Sequence, residues 1–312
     1  MNQADFKTTR DGLGDGLAEI GKTNNNVVVV NADLEESTRT HIFKKEFPKR
    51  YFQVGVAEQN MMGISAGLAL GGKIPFATSF AIFSPGLNWE QIRLACISNL
   101  NIKIASTHAG FSNGPDGASH QALEDIALTR VLPNMTVVVP SDYQQAMNAV
   151  TQIAEITGPC YLRLSKTPTP ILNTDQPFII GKAQILSQGS DCTIITTGNM
   201  IHQSLAAAQQ LNQNGLKVGV INLPTIKPLD KKVILEAAQN TQLIVTIEEH
   251  QIAGGLGSSI TEYLAQAKPI RIYRLGVKNQ FGETGTIEEL YKKHNLDTQS
   301  IVNRITSLFP AK

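Results

Sequence analysis

Cysteine is scarce in this chain: Cys96, Cys160 and Cys192 are the only three in 312 residues. They are odd in number and far apart, so neither a zinc-ligand spacing nor a disulfide framework can be read from them. Reduced thiols in a cytoplasmic protein are the expectation. An excess of either charge is missing too, because 27 basic residues face 26 acidic ones for a net charge of +1. That balance excludes a nucleic-acid or membrane-surface role driven by bulk charge, while leaving room for a local basic pocket. No apolar run approaches the ~20 residues of a membrane helix. The opening residues MNQADFKTTRDG hold no apolar signal core. Short internal repeats and low-complexity tracts are absent from the sequence.

With 42% hydrophobic and 17% charged residues, there is enough apolar material for sizeable cores. At about 150 residues per domain, the length suggests two domains. Short β-branched runs at 27–30, 102–105, 137–139 and 161–164 read as buried strands. Amphipathic stretches at 60–71, 88–100, 121–131 and 143–157 between them read as helices. Residues 166–181 break this rhythm with a Pro/Thr/Asn-rich stretch that reads as a linker. The alternation then resumes, with strands at 193–196, 218–222, 243–247 and 270–275. Helices are predicted at 201–212, 231–240, 257–267, 287–294 and 300–308. The fold class is therefore α/β: two consecutive open parallel-sheet α/β domains, 1–175 and 176–312.

Ligands of open α/β sheets sit at the carboxyl ends of the strands. Three polar clusters fall where such ends are expected. NADLEES (31–37) follows the VVVV run. VGVAEQNM (54–61) opens a Gly/Ala-rich helix. THAG (107–110) and GPDGASHQ (114–121) lie on a glycine-rich loop that carries two histidines and an aspartate.

These clusters make a resemblance specific. GVAEQNMMGISAGLALGG resembles the transketolase segment that supplies the cofactor-activating glutamate. ATSFAIF resembles the following strand and turn, whose aromatics hold the aminopyrimidine ring of thiamine diphosphate. THAGFSNGPDGASHQALEDIALTR resembles the family's histidine loop, NADLEES its ADL…S element, and VTIEEHQIAGGLGSSI its C-terminal domain. The likeness runs in order along essentially the whole chain. The diphosphate-binding domain that precedes these segments in single-chain members has no counterpart. Gly14-Asp15-Gly16 imitates its Gly-Asp-Gly but lies before the first strand, where it reads as a helix with two permissive glycines. The chain is similar to the C-terminal subunit of a split, two-subunit transketolase. An N-terminal subunit is then the expected partner in a heterotetramer, holding the diphosphate and Mg2+, with no metal ligands in this chain.

The resemblance also implies site roles. Glu58 matches the carboxylate that exchanges a proton with the pyrimidine ring, with Ala57, Met61 and Met62 as apolar surroundings. Phe80 and Phe83 match the aromatics that sandwich that ring, and Asp33 an aspartate near the thiazolium side. The family often carries another aromatic where this chain has Gly86. His108 and His120 match histidines that line the substrate channel and relay protons near neutral pH. Asp116 matches the residue that reads hydroxyl stereochemistry. Arg10 and Ser37 match phosphate anchors. A third anchor, usually arginine, is Lys166 here, a point charge without the bidentate fork, and neighbouring Arg163 is an alternative.

The implied reaction moves a two-carbon ketol unit from a ketose phosphate to an aldose phosphate, as in the pentose phosphate pathway. Rival readings are the beta subunit of a 2-oxo-acid dehydrogenase first component, a 1-deoxyxylulose-5-phosphate-synthase-like enzyme, and a silent regulatory half. Glu248-Glu249-His250 with Gly254-Gly255-Leu256-Gly257 tempts as a phosphate loop. It fails the dinucleotide spacing and lacks a downstream Asp, so an interface and packing role is expected.

Overall fold

The computed structural model describes residues 6–172 and 174–309. Asn173 in the linker and the outermost residues of the two expected domains lie outside that range. The chain opens with the short strand β1 (Phe6–Lys7) and helix α1 (Thr9–Thr23). Strand β2 (Val27–Asn31), helix α2 (His41–Glu46), strand β3 (Tyr51–Gln53) and helix α3 (Glu58–Leu70) follow. Next come β4 (Ile74–Phe80), α4 (Trp89–Ile97), β5 (Lys103–Thr107), α5 (Asp125–Arg130), β6 (Thr136–Val138), α6 (Tyr143–Glu155), β7 (Cys160–Arg163) and β8 (Thr169–Pro170).

Beyond the linker come β9 (Gln184–Ser187), β10 (Cys192–Thr196), α7 (Met200–Gln213), β11 (Val218–Asn222), β12 (Thr225–Lys227) and α8 (Lys231–Asn240). The chain closes with β13 (Leu243–Gln251), α9 (Leu256–Ala267), β14 (Ile272–Val277), α10 (Ile287–Lys293) and α11 (Thr298–Thr306).

The first sheet has the order β12-β6-β7-β5-β4-β2-β3 and the second β14-β13-β10-β11-β9. Both are parallel in the middle and antiparallel at one edge, through β12 against β6 and β9 against β11. Strand β2 is buried along its whole length. That is why VVVV lacks alternation: helices cover both faces of a parallel sheet.

The halves do not keep to themselves. β12, from the second half, adds the edge strand of the first sheet, with Thr225 opposite Val138. A three-residue strand carries too little pattern to be read from sequence. One buried apolar cluster accordingly runs from Val30 and Ile104 through to Ile195 and Ile244.

Helix α1 shows what Gly12 and Gly16 are for. It starts with a capping box between Thr8 and Asp11 and lies against α6. A Cβ on Gly12 would overlap the Tyr143 carbonyl oxygen, and one on Gly16 would come within 3.1 Å of the Val150 Cβ. These glycines let two helices approach closely, and Gly14-Asp15-Gly16 is helical as expected.

The topology positions the loops. Strands β5, β4 and β2 are neighbours, and their carboxyl ends lead into His108, the Phe80–Phe83 turn and Asp33. β3 leads toward Glu58 and β7 toward Lys166, so all five segments leave from one edge of the sheet.

Candidate active site

Glu58 is the first residue of α3, where a carboxylate meets the positive end of the helix dipole. It is 5% exposed. Its Oε1 accepts a 2.8 Å hydrogen bond from Ser79 Oγ, and its backbone carbonyl accepts from Asn88 Nδ2 at 3.3 Å. Oε2 has no hydrogen-bond partner among the described residues. Met61 and Met62, one turn on, are fully buried and keep water from the helix side.

Ser79 precedes Phe80 on β4. The Phe80 and Phe83 rings lie 6.0 Å apart and nearly parallel, at 15°. A flat ring seated between two others needs about 7 Å, twice the ~3.5 Å carbon contact distance. As the two rings stand, a third does not fit between them. His108 occupies one side of Phe80, with centroids 3.8 Å apart, and His120 meets Phe83 edge-on at 5.5 Å. The two imidazoles and two phenyl rings make a continuous wall. Gly86 follows from the turn itself: a Cβ there would strike the Ile82 carbonyl oxygen, so no aromatic fits.

His108 is 3% exposed and holds a left-handed backbone, with φ at 61°. Such a conformation costs a non-glycine residue ~1–3 kcal/mol and collects at functional sites. Arg10 Nη1 lies 3.3 Å from its Nε2, and Thr107 Oγ1 lies 2.7 Å from its Nδ1. Arginine only donates, so Nε2 accepts and the proton sits on Nδ1. Burial first, and then the charges of Arg10, Lys166 and Arg39, push its pKa down to about 3. The ring is neutral at physiological pH and stands in a field of three cations.

Arg10 also donates to the Ser37 carbonyl oxygen at 3.0 Å. Ser37 thus meets Arg10 through its backbone, and its hydroxyl makes no hydrogen bond among the described residues. Asp116 is exposed, with a carboxylate oxygen 3.9 Å from Lys166 Nζ. Asp33 is exposed and left-handed at φ 61°, and its amide donates to Gln53 Oε1 at 2.7 Å.

Arg163, the alternative anchor, is turned inward in this structure: it is 6% exposed and its Nε donates to Asp125 Oδ2 at 2.7 Å. Its Nη2 is taken up by the carbonyls of Ala122 and Glu249. An arginine at the end of a buried strand pairs inward unless a ligand draws it out.

The glycine-rich motif of the second half is filled by its own chain. Glu248 is buried on β13 and accepts from Leu256 N at 2.7 Å and Gly257 N at 2.9 Å. Its carboxylate takes the place at the α9 N-terminus that a phosphate would need. A cavity of about 500 Å³ lies elsewhere, at the amino ends of β10 and β11 beside Lys217 and Glu236. None of the expected site residues lines it, and ligands of such sheets bind at the opposite ends of the strands. Ser79, Asn88, Gln53 and Glu249 all support site loops and escaped the reading of the sequence. Ser79 and Glu249 fell inside quoted motifs, but nothing in the identity of Ser79 marked it and Glu249 was read as a packing residue.

Comparison with known proteins bears on this arrangement. The transketolase pyrimidine-binding domain model matches residues 6–170, and the transketolase C-terminal domain model matches residues 181–301. The chain belongs to the transketolase family. It is 45% identical over 305 residues to a Methanocaldococcus jannaschii protein named "Putative transketolase C-terminal section", covering 96% of each. It is 37% identical to a 6-deoxy-6-sulfo-D-fructose transketolase subunit from a Clostridium species, covering 94% of this chain and 92% of that one. Human transketolase is 35% identical, and the match covers 96% of this chain but 49% of that protein. A solved split-gene transketolase, described as an inactive beta4 tetramer, superposes with a TM-score of 0.90 at 43% identity, covering 96% and 98% of the two chains. Transketolase-family α/β architecture is thus established for both halves of this chain.

Proposed function

We propose that this chain is the C-terminal subunit of a two-subunit transketolase, and that it holds the aminopyrimidine half of thiamine diphosphate. The observation that carries the reading is Glu58: a buried carboxylate with one oxygen held by Ser79, the residue before Phe80, and the other free, beside the Phe80–Phe83 pair. A flat, basic heteroaromatic ring fits that donor set, through stacking on phenylalanine and a hydrogen bond to the free oxygen. Thiamine diphosphate, when bound, supplies the carbanion chemistry. Glu58 would hold or give a proton at a nitrogen of that ring. Met61 and Met62 exclude water behind it. Asp33 stays assigned to the thiazolium side.

His108 is neutral, so it orients and accepts through hydrogen bonds. His120, half-buried beside Phe83, is the general acid/base on the substrate hydroxyls. Asp116 reads hydroxyl stereochemistry from the open side of the loop. Arg10, Ser37 and Lys166 attract the anionic end of the sugar, and the cations around His108 support that charge preference. The Clostridium relative is named for a sulfonated sugar. Phosphate and sulfonate are both tetrahedral oxyanions that a cationic site attracts. The reaction proposed is ketol transfer between anionic sugars, as in the pentose phosphate pathway.

No helix among the described residues is long and apolar enough to cross a membrane. All three cysteines are buried free thiols, and we place the chain in a reducing cytoplasm. We place the domain boundary near residue 175. The diphosphate and Mg2+ belong on the N-terminal partner subunit in a heterotetramer. An apolar face supports that partner: Val56, Leu70, Leu87, Leu94 and Ile97 are all exposed, with the open glycines Gly63 and Gly67 between them on α3.

The test is reconstitution of the two subunits with thiamine diphosphate and Mg2+. Ketol transfer is assayed from phosphorylated and sulfonated ketoses, with a 2-oxo acid as the competing substrate. Glu58→Gln should lower kcat by roughly 10²–10⁴-fold, the range for a positioned acid/base. Undiminished turnover of Glu58→Ala would sink the assignment.

A further inference from the structure

The loop between β5 and α5 carries His108, Asp116 and His120, yet much of what holds it comes from the second half of the chain. Phe111 N donates to Glu249 Oε1 at 2.8 Å. Gln251 N donates to the Leu123 carbonyl at 2.7 Å, and Gly285 N to the Gly114 carbonyl at 3.4 Å. Gln121 Nε2 donates to the Glu283 carbonyl at 2.9 Å. Arg163 ties the base of the loop to β13 by donating to both the Ala122 and the Glu249 carbonyls, at 3.2 and 3.0 Å.

Glu249 differs from these other contacts because it is a second-half side chain that accepts a hydrogen bond from the loop backbone. It is 5% exposed, and a buried carboxylate costs folding free energy unless it is hydrogen-bonded. An apolar residue would be cheaper there if packing were the whole task. The loop gives the reason. Gly110 turns left-handed at φ 66°, which aims the next amide, Phe111 N–H, inward, away from water. That amide needs an acceptor. Gly110 also lies flat on the Glu249 carboxyl carbon, where a Cβ would overlap it. Glu248, its neighbour on β13, bonds within the second half and touches none of this.

We propose that Glu249 is a positioning residue for the histidine loop: its carboxylate fixes the turn at Gly110–Phe111 that sets His108 and His120 against Phe80 and Phe83. The second half thereby acts as the mould for the loop of the first. The consequence for turnover rests on the catalytic reading of the two histidines; the consequence for the loop does not.

The experiment compares Glu249→Asp, Glu249→Gln and Glu249→Ala with Glu248→Gln as a control of equal burial. Amide hydrogen exchange is followed on the full-length chain, and ketol transfer on the assembled pair. Glu249→Asp keeps the charge beside Arg163 but withdraws the acceptor from Phe111 N by one methylene. It should raise exchange of amides 110–122 about tenfold, the loss of one hydrogen bond, and leave 27–31 and 192–196 unchanged. It should lower kcat by a similar factor with KM for thiamine diphosphate within about threefold. Glu249→Gln retains an acceptor and should stay within about threefold of wild type in both readouts. Should Glu249→Ala fail to fold, the Asp and Gln pair still decides. Loop exchange in Glu249→Asp that is unchanged, or that rises no more than in Glu248→Gln, overturns the proposal. A wild-type pair without ketol transfer refutes the proposed function, while the exchange result still decides the positioning role.

Discussion

His108 should make this protein acid-sensitive in a way one substitution removes. Burial and the cations Arg10, Lys166 and Arg39 push its pKa from the ordinary 6.5 down to about 3. The folded pKa is depressed, so the unfolded chain takes up a proton below 6.5 that the folded chain refuses until about 3. Stability from this group is complete above 6.5 and drains away as the pH falls through that window. At about 1.4 kcal/mol per tenfold, the native state loses about 2 kcal/mol between pH 7 and pH 5. His108→Asn removes the titration while tolerating the left-handed backbone, which asparagine favours.

The raw pH profile is not enough. Burial pushes Glu248 and Glu249 up to about 7, and a raised carboxyl contributes stability that is lost as the pH rises through its folded value. Those groups oppose His108 in the same range but are present in both proteins, so they cancel in the difference. Urea unfolding followed by circular dichroism at pH 7, 6 and 5, at one protein concentration, isolates the effect. Wild type should lose about 2 kcal/mol more than His108→Asn across that range. Parallel profiles, agreeing within about 0.5 kcal/mol, would refute the reasoning.

Four further expectations concern the scaffold and the surfaces. Arg163→Met strands Asp125 in the core and should cost ~3–5 kcal/mol in chemical denaturation. Lys166→Ala should leave stability within ~0.5 kcal/mol and raise KM for the anionic sugar about tenfold with kcat little changed; the reverse pattern would reinstate Arg163 as the anchor. Gly12→Ala drives a Cβ into the Tyr143 carbonyl and to 2.8 Å from the Ala146 Cβ. It should cost ~1–3 kcal/mol by overpacking, read as a Tm lower by roughly 2–4 °C per kcal/mol; an unchanged Tm would mean that α1 and α6 can separate freely. Ile97→Asp, on the exposed apolar face, should leave folding intact but weaken association with the partner subunit at least tenfold in sedimentation, and unaltered assembly would place the interface elsewhere.

Most of the architecture was legible from local pattern. Buried parallel strands such as β2 announce themselves by unbroken β-branched runs, and α8 and β11 fall on the residues their patterns predict. The glutamate, histidine and aromatic motifs were recognisable as a set because their order along the chain carries information that no single one does. Chain order also placed the site loops at strand ends, where a parallel sheet puts all its carboxyl termini on one edge.

What the sequence could not settle is everything that depends on which segments meet across long separations. β12 belongs to the sheet of the other half, and nothing in Thr-Ile-Lys reports the partner it pairs with. Arg163 and Lys166 are equally cationic on paper, and only burial against Asp125 takes the first out of the site. Glu249 looked like part of a packing motif, and only the fold sets it under Phe111, 138 positions away along the chain. Local pattern encodes the elements because strands and helices are built from near neighbours. The site is assembled from distant ones, and its protonation states and contacts follow from burial that only the tertiary structure creates.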